Sequence, residues 1–181
     1  MAALDTATGR AGVKVLSDIP ANAACGLPVQ RSTILVASAR TGECQAVLDG
    51  RRVTAVRTAA ASAVATAHLA RPDSSVLGLV GAGTLDGGGL RRARVVVDSV
   101  QTALAKSGEV VLALAENAIV PDDVGTELGA VIAGLAPGRT SVREVTLFNS
   151  VGIGLQDLVT ADLLIARARA RNVGLDLDLS A

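Results

Sequence analysis

The sequence predicts an α/β protein closed by a long C-terminal helix. Three observations predict it. Residues 12–17, 32–38 and 44–48 are short apolar stretches set apart by Gly- and Pro-bearing turns. From residue 54 onward, helical stretches alternate with apolar runs at 75–80, 94–98 and 144–148, the pattern of strands joined by helices. Finally, Val151, Leu155, Leu158, Ala161 and Ile165 recur at helical spacing.

Taken in order, Gly-Val-Lys-Val-Leu-Ser at 12–17 is a short strand. Pro20, Asn22, Gly26 and Pro28 place 18–29 in a loop. Residues 32–38 and 44–48 read as a hairpin turning at Thr41-Gly42-Glu43, and Asp49-Gly50 is a strong turn signal. Thr54 is the expected cap of an Ala-rich helix running to about Ala70, stopped by Pro72 and Asp73. The run 75–80 has the character of a buried strand and ends in Gly81-Ala82-Gly83. A helical turn at 90–93 leads into the strand 94–98, and 99–106 and 109–116 are short helices. Residues 124–134 read as a further helix, 144–148 as a strand, and 150–171 as the long helix. Its late Arg167, Arg169 and Arg171 suit the negative end of the helix dipole.

Composition narrows the function. The 181 residues suit one domain, or one with a fragment of another. Acidic and basic side chains balance at 17 each, which argues against a nucleic-acid partner. The apolar half is small and aliphatic, with 33 Ala, 24 Val and 23 Leu against one Phe and no Tyr or Trp, so bases would find no stacking platform. Cys25 and Cys44 have no CxxC spacing, and one His cannot complete a standard zinc site, so no metal is expected. No signal peptide or apolar stretch of about 20 residues stands out. A cytoplasmic protein with no membrane partner is expected.

Few residues could carry chemistry. The chain holds 15 Arg but only two Lys, Lys14 and Lys106. Strand alternation can set Lys14 on the solvent face. That is the commoner place for a lone Lys; the other option is an ammonium in a partly desolvated site that binds a carboxylate or carbonyl, or moves a proton. Arg57 and Thr58 fall in the first turn of the helix expected from Thr54, where an anion would be welcome; an exposed Arg is the competing reading. Gly81 and Gly83 follow an apolar run as in a dinucleotide-binding turn. Yet Asp86 occupies the third small position and no acid-ended strand follows about 20 residues on. His68 lacks an evident partner.

Several segments, in order, carry a resemblance. They are Gly-Val-Lys-Val at 12–15, Gly-Leu-Pro at 26–28, Thr-Gly-Glu at 41–43 and Leu-Asp-Gly at 48–50. Val-Arg-Thr-Ala-Ala-Ala-Ser-Ala at 56–63, Leu-Ala-Arg-Pro-Asp at 69–73 and Gly-Ala-Gly at 81–83 follow. Arg-Arg-Ala-Arg-Val-Val-Val-Asp-Ser at 91–99, Pro-Gly-Arg at 137–139 and Glu-Val-Thr-Leu-Phe-Asn-Ser-Val-Gly at 144–152 complete the set. Together they resemble the ornithine cyclodeaminase/mu-crystallin family.

The resemblance implies an NAD- or NADP-dependent oxidoreductase or cyclodeaminase acting on a small amino or imino acid. It implies a homodimer. The implied fold pairs a mixed-sheet substrate-binding and dimerisation domain with a Rossmann domain. Lys14 would contact the substrate amino acid or its imine, and Arg57 its carboxylate or the cofactor. Thr58, Gly81 and Gly83 would lie against the dinucleotide phosphates, and Ser150 near the nicotinamide. Departures from the family pattern fall in one place. The chain passes from the first Rossmann strand to the last within a few residues, leaving only a Rossmann remnant. The family's catalytic aspartate and the acid that binds the adenosine ribose have no counterpart. Val29 stands where Thr is usual, and Asn149 where Lys is frequent. The segments are then 1–73 and 99–181 for the substrate and dimerisation domain, and 74–98 for the remnant. A non-catalytic homodimer descended from the family is the competing expectation.

Overall fold

A computed structural model describes residues 1–79 and 87–178. The chain divides into two compact units, Met1–Arg57 with the stretch from Ile153 onward, and Thr58–Gly152.

The first unit is built on an antiparallel meander, β1 (Ala2–Asp5), β2 (Arg10–Asp18), β3 (Gln30–Ser38) and β4 (Cys44–Asp49), paired in that order. The expected hairpin is present, with β3 and β4 in register from Thr33↔Asp49 to Val36↔Ala46 and a bulge before Ala37. The loop between β2 and β3 contains a 3-10 turn at Pro20–Cys25. β1 is not among the expected strands. It turns back into β2 through an Asx turn, in which Asp5 Oδ1 accepts the amides of Ala7 at 2.9 Å and Thr8 at 3.3 Å. Gly9, at φ +66°, supplies the left-handed residue that closes this turn. Hydrogen bonding from Thr8 and then Ala7 holds the Asp5 carboxyl below its ordinary range.

Two helices complete this unit: the start of α1 (Gly50–Leu69) and the long C-terminal α6 (Gly154–Ala170). Alternation along the strands sends Ile34 and Val36 inward, where they meet Val53 of α1 and Leu158, Ala161 and Ile165 of α6. Gly12 permits close helix packing, because a Cβ there would stand 2.9 Å from Leu158 Cδ1. The opposite face of the sheet stays exposed and apolar at Val13, Val15, Leu35 and Val47, which the strand pairing sets side by side.

The second unit holds the rest of α1, a six-residue α2 (Gly87–Arg92) and a parallel sheet in the order β6-β5-β7. The strands are β5 (Ala93–Val97), β6 (Thr126–Glu127) and β7 (Val145–Asn149). Helices α3 (Val100–Lys106), α4 (Gly108–Ala115) and α5 (Leu128–Ile132) connect them. β5 is apolar and buried from Val95 to Val97, because both its faces are covered there. Val95 and Val97 pack with Leu90, Ala103, Val110 and Val124, and Val96 packs with Ala65, Leu69 and Leu128.

The α/β class therefore holds, with antiparallel and parallel strands parted into two sheets and a long C-terminal helix. Several elements differ from expectation. α1 starts at Gly50, not Thr54, because Asp49 caps it: Asp49 Oδ1 accepts the Arg51 amide at 2.9 Å. The expected helix 124–134 is broken into a 3-10 turn at Pro121–Val124, the two-residue β6 and α5. α6 begins four residues later than expected, since Ser150, Val151 and Gly152 turn toward Asp98. Residues 75–79 form no strand, and Val76, Leu77 and Leu79 are exposed. An apolar run becomes a strand only where a neighbouring edge accepts its backbone hydrogen bonds. Gly81 and Gly83 lie outside the described residues.

Candidate functional site

The candidate site lies within the first unit. Lys14 shares the inward face of the sheet with Ile34 and Val36, and 1% of its side chain is exposed. A buried ammonium requires an anionic partner. Asp157, in the first turn of α6 and equally buried, supplies it. Lys14 Nζ donates to Asp157 Oδ1 at 3.0 Å and stands 2.8 Å from Oδ2. The Oδ2 contact is an ion pair without hydrogen-bond alignment. The same ammonium donates to Thr54 Oγ1 at 3.3 Å.

Arg57 reaches this carboxylate from α1. Its Nε donates to Asp157 Oδ1 at 3.1 Å and its Nη1 to Gln156 Oε1 at 2.9 Å. Arg57 is 8% exposed. With α1 starting at Gly50, Arg57 sits two turns into the helix, so the expected place in its first turn is corrected. The anion it faces is a side chain, not a ligand drawn to a helix end. Thr54 is likewise no cap; its hydroxyl donates to Gly50 O at 2.8 Å, one turn back. Lys14 and Arg57, two cations, thus share one carboxylate, and the buried cluster keeps one net positive charge. Such a cluster suits a carboxylate ligand, which a planar guanidinium can grip with paired hydrogen bonds.

Asp157 is absent from the residues singled out by sequence. A signal existed, because Asp157 falls on the stripe of Leu158, Ala161 and Ile165 that faces the core. An acid on an inward stripe demands a cation.

In the second unit, Ser150 and Asp98 meet at the carboxyl ends of parallel strands, where α/β folds gather their ligands. Ser150 Oγ donates to Asp98 Oδ2 at 3.2 Å, and the amides of Val151 and Gly152 donate at 3.3 and 2.6 Å. Asp98 is a second residue that sequence reasoning missed; an acid closing a doubly buried strand was its signal. Asn149 Oδ1 is buried and has no partner among the described residues. Thr58, one residue past Arg57 on α1, accepts the Ser62 hydroxyl at its carbonyl. His68 is exposed, its Nδ1 2.9 Å from Val64 O. Among the described residues, no group of three or more His, Cys, Asp or Glu could hold a metal, and no helix is long and apolar enough to cross a membrane.

Comparison with known proteins bears on both units. The model of the ornithine cyclodeaminase/mu-crystallin family matches residues 1–86 and 84–172, two segments that meet near residue 85. The alanine dehydrogenase of Archaeoglobus fulgidus is 26% identical over an alignment 256 residues long, covering 92% of this chain and 79% of that protein. Since 256 exceeds the 181 residues here, the alignment crosses a stretch the relative has and this chain lacks. An archaeal alanine dehydrogenase dimer with bound NAD matches with a TM-score of 0.85 and 25% identity, over 94% of this chain and 81% of that one. The iminosuccinate reductase of Paracoccus denitrificans, in complex with NAD+, also gives a TM-score of 0.85 at 25% identity, over 97% and 82%.

Proposed function

The chain belongs to the ornithine cyclodeaminase/mu-crystallin family, and on that premise we propose that it binds a small amino or imino acid at Lys14 and Arg57 and acts on it as an NAD- or NADP-dependent oxidoreductase. The observation that carries this reading is the buried Lys14–Asp157–Arg57 cluster with its one net positive charge.

Asp157 has the central structural part. It neutralises one of the two cations and fixes the position of both. Gln156 holds the plane of the Arg57 guanidinium, so the ligand's carboxylate meets a preset donor array. Asp157 and Thr54 accept from the Lys14 ammonium, whose third hydrogen is left for the substrate nitrogen. Lys14 then holds or returns the proton that distinguishes amine from imine.

The dinucleotide, when bound, supplies the acceptor or donor of the substrate hydride. By the family pattern Arg57, Thr58, Gly81, Gly83 and Ser150 would hold it. Among the described residues, the orphaned Asn149 Oδ1 suits the amide hydrogens of a nicotinamide. The Asp98 carboxylate fixes the turn at Ser150–Gly152 beside it. By descent, 1–73 and 99–181 form the substrate and dimerisation domain, and 74–98 the dinucleotide-domain remnant. The apolar outer face of β2, β3 and β4 is the surface on which a homodimer would form. Both cysteines are free, as suits a reducing cytoplasm.

The test is NADH or NADPH consumption at 340 nm with α-imino and α-keto acids plus ammonia, and the reverse reaction with amino acids. Turnover that Lys14→Met lowers by about 100-fold or more is expected. A folded protein that neither consumes nor binds NADH or NADPH would overturn the proposal.

A further inference from the structure

The Lys14 ammonium is sealed from solvent. An amine that passes a proton to a substrate must be recharged, and bulk water does not touch it. A hydroxyl route leads away from it. Nζ lies 3.3 Å from Thr54 Oγ1, and Thr54 Oγ1 lies 3.5 Å from Ser32 Oγ. Ser32 also lines a solvent-open pocket of about 460 Å³, together with Arg31, Thr33, Asp49 and Arg51. Because the Thr54 proton goes to Gly50 O, its lone pairs are positioned to accept from Lys14 and Ser32. Gly50 keeps the route narrow: a Cβ there would stand 2.5 Å from Ser32 Oγ.

We propose that Thr54 and Ser32 form a two-hydroxyl relay that recharges Lys14 with protons from this pocket. The proposal rests on Lys14 as the proton donor of the reading above. Once Nζ has released a proton, Thr54 turns its O–H from Gly50 O to the Nζ lone pair. The Thr54 O–H bond breaks as the N–H bond forms. Ser32 passes its proton to the Thr54 oxygen, and a hydronium in the pocket passes one to Ser32, leaving water. One proton has then moved from solvent to Nζ, and both hydroxyls are restored. Oxidation of an amine runs the same steps in reverse. Neither hydroxyl needs to touch the substrate, so both are positioning residues.

The experiment is ¹⁵N NMR of the lysine ammonium groups, measuring exchange of their hydrogens with water. With Lys14 and Lys106 as the two lysines, Lys106 serves as the internal control. Thr54→Val should slow Lys14 exchange by about tenfold or more, the scale of a lost proton-transfer link. Ser32→Ala should slow it as well, Thr54→Ser should restore it, and Lys106 should not change. Unchanged Lys14 exchange in the Thr54→Val and Ser32→Ala proteins overturns the relay. Should Thr54→Val fail to fold, Ser32→Ala, one step removed from the ammonium, decides alone. The two proposals fail separately. If Lys14→Met leaves turnover intact, the functional reading falls while the exchange rates still judge the route. If Lys14→Met abolishes turnover and the hydroxyl variants exchange normally, only the relay falls.

Discussion

Replacing Asp157 by Asn keeps the shape of the side chain and removes its charge. In the native protein this carboxylate faces Lys14 at 2.8 Å and Arg57 at 3.1 Å, all three groups buried. The variant strands two cations where one anion had held both. Breaking a buried ion pair by removing one partner destabilises by about 3–5 kcal/mol, and two stranded charges place Asp157→Asn in the upper part of that range. At a urea m-value of about 2 kcal/mol/M, this lowers the unfolding midpoint by about 2 M. Lys14→Met should be milder, since it leaves Asp157 paired one to one with Arg57. With no Trp or Tyr to report, the assay is urea unfolding followed by far-UV circular dichroism. A loss below about 1 kcal/mol in Asp157→Asn, or greater damage from Lys14→Met, would show that Asp157 does not hold both cations.

Three more expectations concern other parts of the chain. The Thr140 amide, donating at 2.7 Å, and then Arg94 hold the Glu144 carboxyl below its ordinary value of 4.5. A depressed carboxyl stabilises above its unfolded pKa, and the effect fades as pH falls through the folded one. Acid titration below about pH 4.5 should therefore unfold the wild type with a steeper pH dependence than Glu144→Gln. Gly154→Ala would set a Cβ 2.5 Å from Ala2 O; the backbone must shift, with a loss of about 1–3 kcal/mol read as a lowered Tm. Val15→Lys with Val47→Lys puts charge on the exposed sheet face. Sedimentation should then show a protomer where the wild type shows a dimer, and a wild type that is already monomeric contradicts the assignment of that face.

Local pattern makes much of the first unit legible. Short apolar runs bounded by turn residues at 12–17 and 32–38 locate β2 and β3, and the rarity of lysine singles out Lys14; alternation at 12–17 would set Val13 and Val15 inward, whereas the structure exposes them and buries Lys14. Asp157 escapes because it lies 143 residues from Lys14 along the chain, and no spacing rule spans that distance. β1 escapes because four residues are too few to show alternation. Its Asx turn at Asp5–Gly9 is the readable sign. The error at 75–79 has a different origin. Its apolar residues describe a buried strand, but burial is conferred by neighbours, and no described strand pairs with it. Asp49 reads as a turn residue yet caps a helix. Asp-Gly serves both purposes, and only the residues downstream of it decide between them.

In the proposed function, the buried cluster of Lys14, Asp157 and Arg57 receives a carboxylate. Calorimetric titration with L-alanine and with L-alaninamide, at saturating NADH, tests it most directly. The two ligands share an α-amino group and differ in the carboxylate charge. The wild type should bind alanine and not the amide, and Arg57→Ala should lose the distinction. Equal affinity for the two ligands, or a preference untouched by Arg57→Ala in a folded protein, would contradict the account.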